Sequence, residues 1–245
     1  TNSVADAAIV LQAIAGYDPL DSCSADVPVK NYIAALDEPV AKVRVGILRK
    51  YFYDDLDEDV RRAVESAVEQ LREKSSGSLV AEVKEVDVDV PTDRTVQAAE
   101  SFAYHAGNIA RSPELYQPET LRRIRSGEKY SAAEYIQRRR ELDEERWRIR
   151  EIFARVDVLI TPATPIPAPA IAELKKDPVA LRPAELVLLR NTRPFNVWGL
   201  PAASVPCGVT KKGLPIGLQI AAAPWREDLV LAVAKACESR SSASD

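Results

Sequence analysis

Few side chains in this 245-residue sequence are of kinds that make or break covalent bonds, and their spacing limits what they can do. The single histidine, His105, directly follows Tyr104. An imidazole titrates near neutral pH and can act as a general base. Nucleophilic catalysis also needs a hydroxyl or thiol within hydrogen-bond reach and donors for the oxyanion. No serine or cysteine motif accompanies His105, so a structural or pocket-lining role outweighs a catalytic one. Cys23, Cys207 and Cys237 are far apart and contain no CxxC pair, which fits neither a zinc motif nor a disulfide scaffold. No ligand cluster has the spacing of a metal or cofactor site, so none is expected. Trp198 offers a broad apolar face with one donor, and Asn196 an amide; both suit the wall of a cleft. Core packing accounts for Trp198 equally well. These two, with Tyr104 and His105 behind them, are the substrate-binding candidates.

The elements that must carry these residues follow from periodicity. Ala202–Val205 and Ile216–Ile220 are short apolar runs separated by Gly208, Lys211, Lys212 and Gly213, a pattern of two neighbouring strands joined by an exposed turn. Neither alternates polar with apolar, so both are expected to be covered on two faces. Pro201, Pro206 and Pro215 should mark strand ends, because proline donates no ladder hydrogen bond.

Earlier in the chain, Val4, Ala7, Ala8, Leu11, Ile14 and Ala15 predict a buried helix closed by Gly16. An irregular connection over 18–41 follows. Val43–Leu48 reads as a buried strand, Asp57–Lys74 as an amphipathic helix, Ser75–Ser78 as a turn and Val80–Val90 as a half-exposed strand. Helices are predicted over Thr95–Ala110, Pro118–Ser126 and Ser131–Arg155, the last opening on a serine able to cap it. Asp157–Ile160 reads as a strand. Thr161–Pro169, with four prolines, is too stiff for a sheet interior. Arg182–Arg193 and Glu227–Glu238 are further helices, and 239–245 is a small polar tail expected to fray. No repeat or long linker interrupts the pattern, which favours one folding unit.

Composition narrows the function classes. A formal charge of −4 argues against a nucleic-acid surface. Arg138, Arg139, Arg140, Arg146, Arg148 and Arg150 are interleaved with Glu141, Asp143, Glu144, Glu145 and Glu151, the pattern of a salt-bridged helix face. No apolar run approaches membrane length and no signal peptide opens the sequence, so a cytoplasmic protein is expected. The absence of any methionine, at position 1 as elsewhere, suits a processed mature end or, at least as well, a piece of something larger.

Asn196, Gly199-Leu200-Pro201-Ala202, Val205-Pro206-Cys207-Gly208 and Gly213-Leu214-Pro215-Ile216-Gly217-Leu218-Gln219 together resemble the closing region of the amidase signature family. Ser3-Val4-Ala5-Asp6-Ala7-Ala8 with Ala15-Gly16-Tyr17-Asp18-Pro19, Arg44-Val45-Gly46-Ile47 and Asp157-Val158-Leu159-Ile160-Thr161-Pro162-Ala163-Thr164-Pro165 fit it in the same order. The resemblance implies an α/β fold in which a mixed central sheet is covered by helices. It also implies that Thr161–Pro169 runs near the mouth of a substrate cleft.

The family's enzymes act on amides with a serine nucleophile, a second serine in a cis peptide and a lysine. Its glycine- and serine-rich loop and its lysine motif occur nowhere here; in the family both precede the segment matching Ser3–Asp6. The resemblance therefore implies that residues 1–238 are the C-terminal portion of one amidase domain. The catalytic residues would lie on a missing N-terminal half, with no catalytic residue in this chain, and an uncovered apolar patch should mark where that half packs.

The implied activity of the intact protein is hydrolysis of a small-molecule carboxylic amide. The alternatives are the glutaminase component of a tRNA-dependent amidotransferase, which feeds ammonia to a partner, and a non-catalytic fragment. Glutamine-hydrolysing relatives carry an acid where Leu189 falls, and an apolar side chain cannot pair with an ammonium. A second copy of the chain is left open as a partner.

Overall fold

The structure is a computed structural model that describes residues 1–73, 80–176 and 178–241. The chain divides into two compact units, one of Thr1–Asp89 with Arg150–Asp245 and one of Val90–Ile149.

The first unit is built on a five-stranded sheet of β1 (Arg44–Ile47), β2 (Glu82–Glu85), β3 (Val158–Pro162), β4 (Ala202–Val209) and β5 (Pro215–Ala222), in the order β2-β1-β3-β5-β4. β1 runs parallel to β2 and β3, whereas β5 runs antiparallel to β3 and β4. The sheet is thus mixed and flanked by helices, the α/β arrangement the resemblance implies. β3 is buried along its whole length; its side chains are apolar on both faces except for Thr161. Gly46 of β1 lets it close up: a Cβ there would stand 2.8 Å from Val86 and 3.2 Å from Leu159 and Val156.

The strands depart from the sequence expectations where prolines are concerned. β4 and β5 form the expected antiparallel pair, and β5 is almost wholly buried. β4, by contrast, is an edge strand with Ala202, Ser204, Pro206 and Val209 exposed, not a strand covered on two faces. Pro206 lies inside β4 rather than at its end. An edge strand tolerates the missing donor, and the register slips between Pro206 and Gly208, leaving Cys207 as a bulge. Thr161 and Pro162 likewise belong to β3, in the middle of the sheet, with Pro162 as its last residue.

α3 (Glu58–Arg72) is capped by Asp57, whose carboxylate accepts from the backbone N–H of Asp59 at 2.9 Å and of Val60 at 3.4 Å. Val60, Val64, Val68 and Leu71 form its buried stripe, which packs on β3, β4 and β5. α10 (Glu227–Ser241) packs on β4 and β5 and runs three residues past its expected end at Glu238. Residues 242–245 of the expected tail, and the turn expected at Ser75–Ser78, lie outside the described residues.

α1 (Val4–Ile14) is tied to α10, since Glu238 accepts from the N–H of Val4 at 2.9 Å. Only Val4 and Ala8 of α1 are buried, against the expectation of a buried helix. Ile14 is 74% exposed, Leu20 beyond it 94%, and Ile9, Val10 and Tyr17 are exposed as well. The connection over 18–41 contains one short helix, α2 (Tyr32–Ala35). The helix expected over Arg182–Arg193 is two, α8 (Pro178–Leu188) after a short α7 (Ile171–Lys176), and α9 (Arg193–Trp198), which Pro194 opens in its first turn.

The second unit is helical: α4 (Thr95–Arg111), α5 (Pro118–Arg125) and most of α6 (Ala132–Glu151). Ser131 and Glu134 form a capping box: Ser131 Oγ accepts from Glu134 N at 3.2 Å, and Glu134 Oε2 accepts from Ser131 N at 2.8 Å. Gly127 allows α4 and the turn after α5 to touch, for a Cβ there would lie 2.0 Å from the Ala98 carbonyl oxygen. Ion pairs run along α6, Arg148–Glu144 at 3.1 Å, Arg139–Asp143 at 3.7 Å and Arg138–Glu141, with Arg139 also 3.3 Å from Glu100 of α4.

Candidate functional site

The end of β3, the α8–α9 junction and α9 form one assembly in the first unit, and its centre is polar. Asn191, 0% exposed, directs its side-chain amide at two carbonyls: Nδ2 donates to Phe52 O at 2.9 Å and to Pro162 O at 3.0 Å. Its Oδ1 accepts from Arg190 Nε at 3.3 Å. The opposite amide orientation would aim an acceptor at two acceptors, so the network fixes this one. Gln219 of β5, also buried, donates through Nε2 to Thr161 Oγ1 at 2.9 Å and to the Asn191 carbonyl at 3.1 Å. Thr161 and Gln219 stand opposite each other in the β3–β5 ladder, which brings their side chains together.

These three residues escaped the sequence reading. The available signal is polarity out of place, since Thr161 and Gln219 sit in otherwise apolar strands, and a buried polar group is the informative departure.

Beneath α9 lies an aromatic cluster. Trp198, 2% exposed, meets Phe195 edge-on at 5.4 Å between centroids and Phe52 at 6.4 Å, while Phe52 and Phe195 stand 5.6 Å apart. Asn196 is exposed, and its Nδ2 donates to Thr192 O at 3.1 Å. α9 ends at Gly199 in the left-handed conformation (φ 70°), which ordinary side chains resist. Trp198 and Asn196 therefore share a helix but not an environment. Tyr104 and His105 belong to the other unit. Tyr104 is 81% exposed, and its ring meets that of His105 edge-on at 5.0 Å. His105 Nδ1 is 2.9 Å from Tyr116 Oη, so its neighbour is a phenol rather than a serine or cysteine.

Neither Cys207 nor Tyr53 is set up as a nucleophile by its surroundings. Burial pushes the Cys207 thiol up to about 12, with Cys237 adding to the effect, which keeps it protonated and inert. Burial, then the charge of Glu65, raises the Tyr53 hydroxyl to about 12. Among the described residues no group of three or more His, Cys, Asp or Glu side chains could hold a metal ion. No helix among them is long and apolar enough to cross a membrane. Of these groups Asn196 is exposed and can meet a ligand, whereas Trp198, Phe195, Phe52 and Asn191 are buried.

Comparison with known proteins places this architecture. The sequence profile of the amidase family matches residues 1–231. An amidase of Pseudomonas putida is 34% identical, over 87% of this chain and 46% of its own length. The A-type subunit of the glutamyl-tRNA(Gln) amidotransferase of Synechococcus sp. (strain RCC307) is 36% identical, over 96% of this chain and 52% of its own. The structure of a 6-aminohexanoate cyclic dimer hydrolase complexed with substrate superposes with a TM-score of 0.76 at 27% identity, covering 97% of this chain and 53% of that one. The chain spans about half the length of these relatives.

Proposed function

The chain belongs to the amidase family, the amidase signature enzymes, and on that premise we propose that the intact protein hydrolyses a carboxylic amide to an acid and ammonia or an amine. Residues 1–245 supply the supporting side of the cleft. The serine nucleophile, the cis-peptide serine and the lysine of the family mechanism lie on the N-terminal half that the family places before Ser3. The observation that carries this reading is the family match through residue 231 at about half the relatives' length, in a chain that holds neither the glycine- and serine-rich loop nor the lysine motif. The exposed Ile9, Val10, Ile14, Tyr17 and Leu20 support it, as apolar side chains that the missing half would cover.

Of the four binding candidates, Asn196 in the first unit is exposed enough to touch substrate, while Trp198 on the same helix is buried. In the second unit, taken by itself, Tyr104 is exposed and His105 meets its ring edge-on. We place the protein in the cytoplasm, acting without a cofactor. Its identity to the glutamyl-tRNA(Gln) amidotransferase component favours a second reading, a glutaminase feeding ammonia to a partner protein. Leu189 weighs against it: 44% exposed and apolar, it offers no charge to the ammonium of glutamine.

Ammonia release by the intact protein, from a panel of simple amides and from glutamine, with and without amidotransferase partner proteins, separates these cases. Turnover of simple amides without partners, blocked by a serine-directed inhibitor, is the expected result. Glutamine turnover only in the presence of partners would establish the second reading, and turnover by residues 1–245 alone would show that the active site is misplaced here.

A further inference from the structure

We propose that Asn191 is a positioning residue, one buried amide that holds the wall of the proposed cleft in a single geometry. The inference rests on the amide-hydrolysis reading, yet its grounds are geometric. The side-chain amide and backbone carbonyl of Asn191 are both engaged, and the partners come from distant parts of the sequence. Phe52 lies in the loop after β1, Pro162 ends β3 and Gln219 sits in β5. The Asn191 backbone is itself the junction from which α9 departs. The same amide thus anchors the start of the proline-rich run at Pro162 and the root of the helix that carries Asn196.

The surroundings hold the junction from a second direction. Tyr51 Oη donates to Arg190 O at 3.4 Å, and Arg190 Nη2 donates to Asp54 O. Tyr51 (φ 73°) and Asp55 (φ 47°) on either side of Phe52 are left-handed without being glycine. Such conformations persist where neighbouring structure over-determines them, and they gather at sites of constrained geometry. Apolar side chains would fill this space without the penalty of desolvating an amide. A fully satisfied polar network adds directionality instead, selecting one arrangement of the segments it joins.

The test uses the intact protein and two near-isosteric variants. Asn191→Leu removes both side-chain N–H donors, whereas Thr161→Val removes only one of the two acceptors of Gln219. With the protein's best simple amide, Asn191→Leu is expected to raise KM by roughly 10-fold while kcat changes by less than about 3-fold, the signature of lost binding geometry rather than lost transition-state contact. Thr161→Val should raise KM by a smaller factor.

Hydrogen exchange gives a readout that does not need activity. The amides of Ala163 and Gly199, bonded to Gly217 O and Asn196 O, should exchange faster in both variants, while Ala81 N, bonded to Val43 O at the other end of β1, keeps its wild-type rate. Unchanged KM and unchanged local exchange in either variant would overturn the proposal. So would an equal loss of kcat and kcat/KM, or acceleration of all three amides alike. If Asn191→Leu fails to fold, Thr161→Val decides. A wild-type protein that cleaves no amide would refute the proposed function, and the exchange pattern would still judge Asn191.

Discussion

Replacing Trp198 by alanine separates the two roles that an indole at this position can have. The ring is 2% exposed and closed in by Phe195 and Phe52 at 5.4 and 6.4 Å. Truncating a buried aromatic side chain costs roughly 3–5 kcal/mol through lost transfer energy and the cavity left behind. The broken ring contacts contribute about 0.5–1.5 kcal/mol per pair within that figure. Against a typical stability of roughly 5–15 kcal/mol this is a large fraction. In urea unfolding of the intact protein followed by circular dichroism, a slope of ~2 kcal/mol/M turns it into a midpoint about 2 M lower. Trp198→Phe keeps most of the volume and should lose less than about 1.5 kcal/mol. A loss below about 1 kcal/mol in Trp198→Ala would refute the packing argument. A steep rise in KM for Trp198→Phe at unchanged stability would refute it too, making the indole a substrate contact.

Two further outcomes follow from local geometry. Gly127→Ala drives a Cβ to 2.0 Å from the backbone of Ala98, which cannot rotate away, so α4 and α5 must separate. A loss of roughly 1–3 kcal/mol is expected, read as a lower midpoint with faster hydrogen exchange in α4; an unchanged midpoint would contradict the contact. Asp157 accepts from Arg44 through side chain and backbone, and the Arg44 guanidinium holds its carboxyl below the usual range despite opposing desolvation. A depressed carboxyl stabilises the fold above its unfolded value of ~3.9, and that contribution disappears as pH falls through the lower folded value. Asp157→Asn should therefore lower the thermal midpoint at pH 7, with the gap closing as pH falls through the depressed folded value and the wild-type carboxyl is protonated. A pH-independent gap would show that the charge is not what matters.

What could be read from the sequence was whatever has a local cause. α3 was legible because Val60, Val64, Val68 and Leu71 recur at helical spacing behind an aspartate. β1, β3 and β5 were legible because apolar runs stand between turn residues. Strand order depends on contacts distant in sequence, and without it the edge position of β4 was hidden, so Pro206 looked like a strand end. α10 is buried beyond a single helical stripe, with Leu231 and Ala232 buried along with Val230, Val233 and Ala234, which periodicity does not foretell. The Asn191 network was invisible for a related reason. Its acceptors are the carbonyls of Phe52 and Pro162, groups every residue possesses, and nothing in the letters marks them. The division between Asp89 and Val90 also has no compositional signature in the sequence.

The bulge in β4 has a bearing on what can dock beside it. An eight-residue outer strand without a charged side chain would ordinarily invite any extended peptide to zip along it. The prolyl ring at 206 withholds a donor, and the extra residue at 207 adds local twist, so a straight newcomer cannot follow the strand past Val205. Ala202–Val205 alone offers too short a grip for chance pairing to persist, and a companion strand must come shaped to the kink.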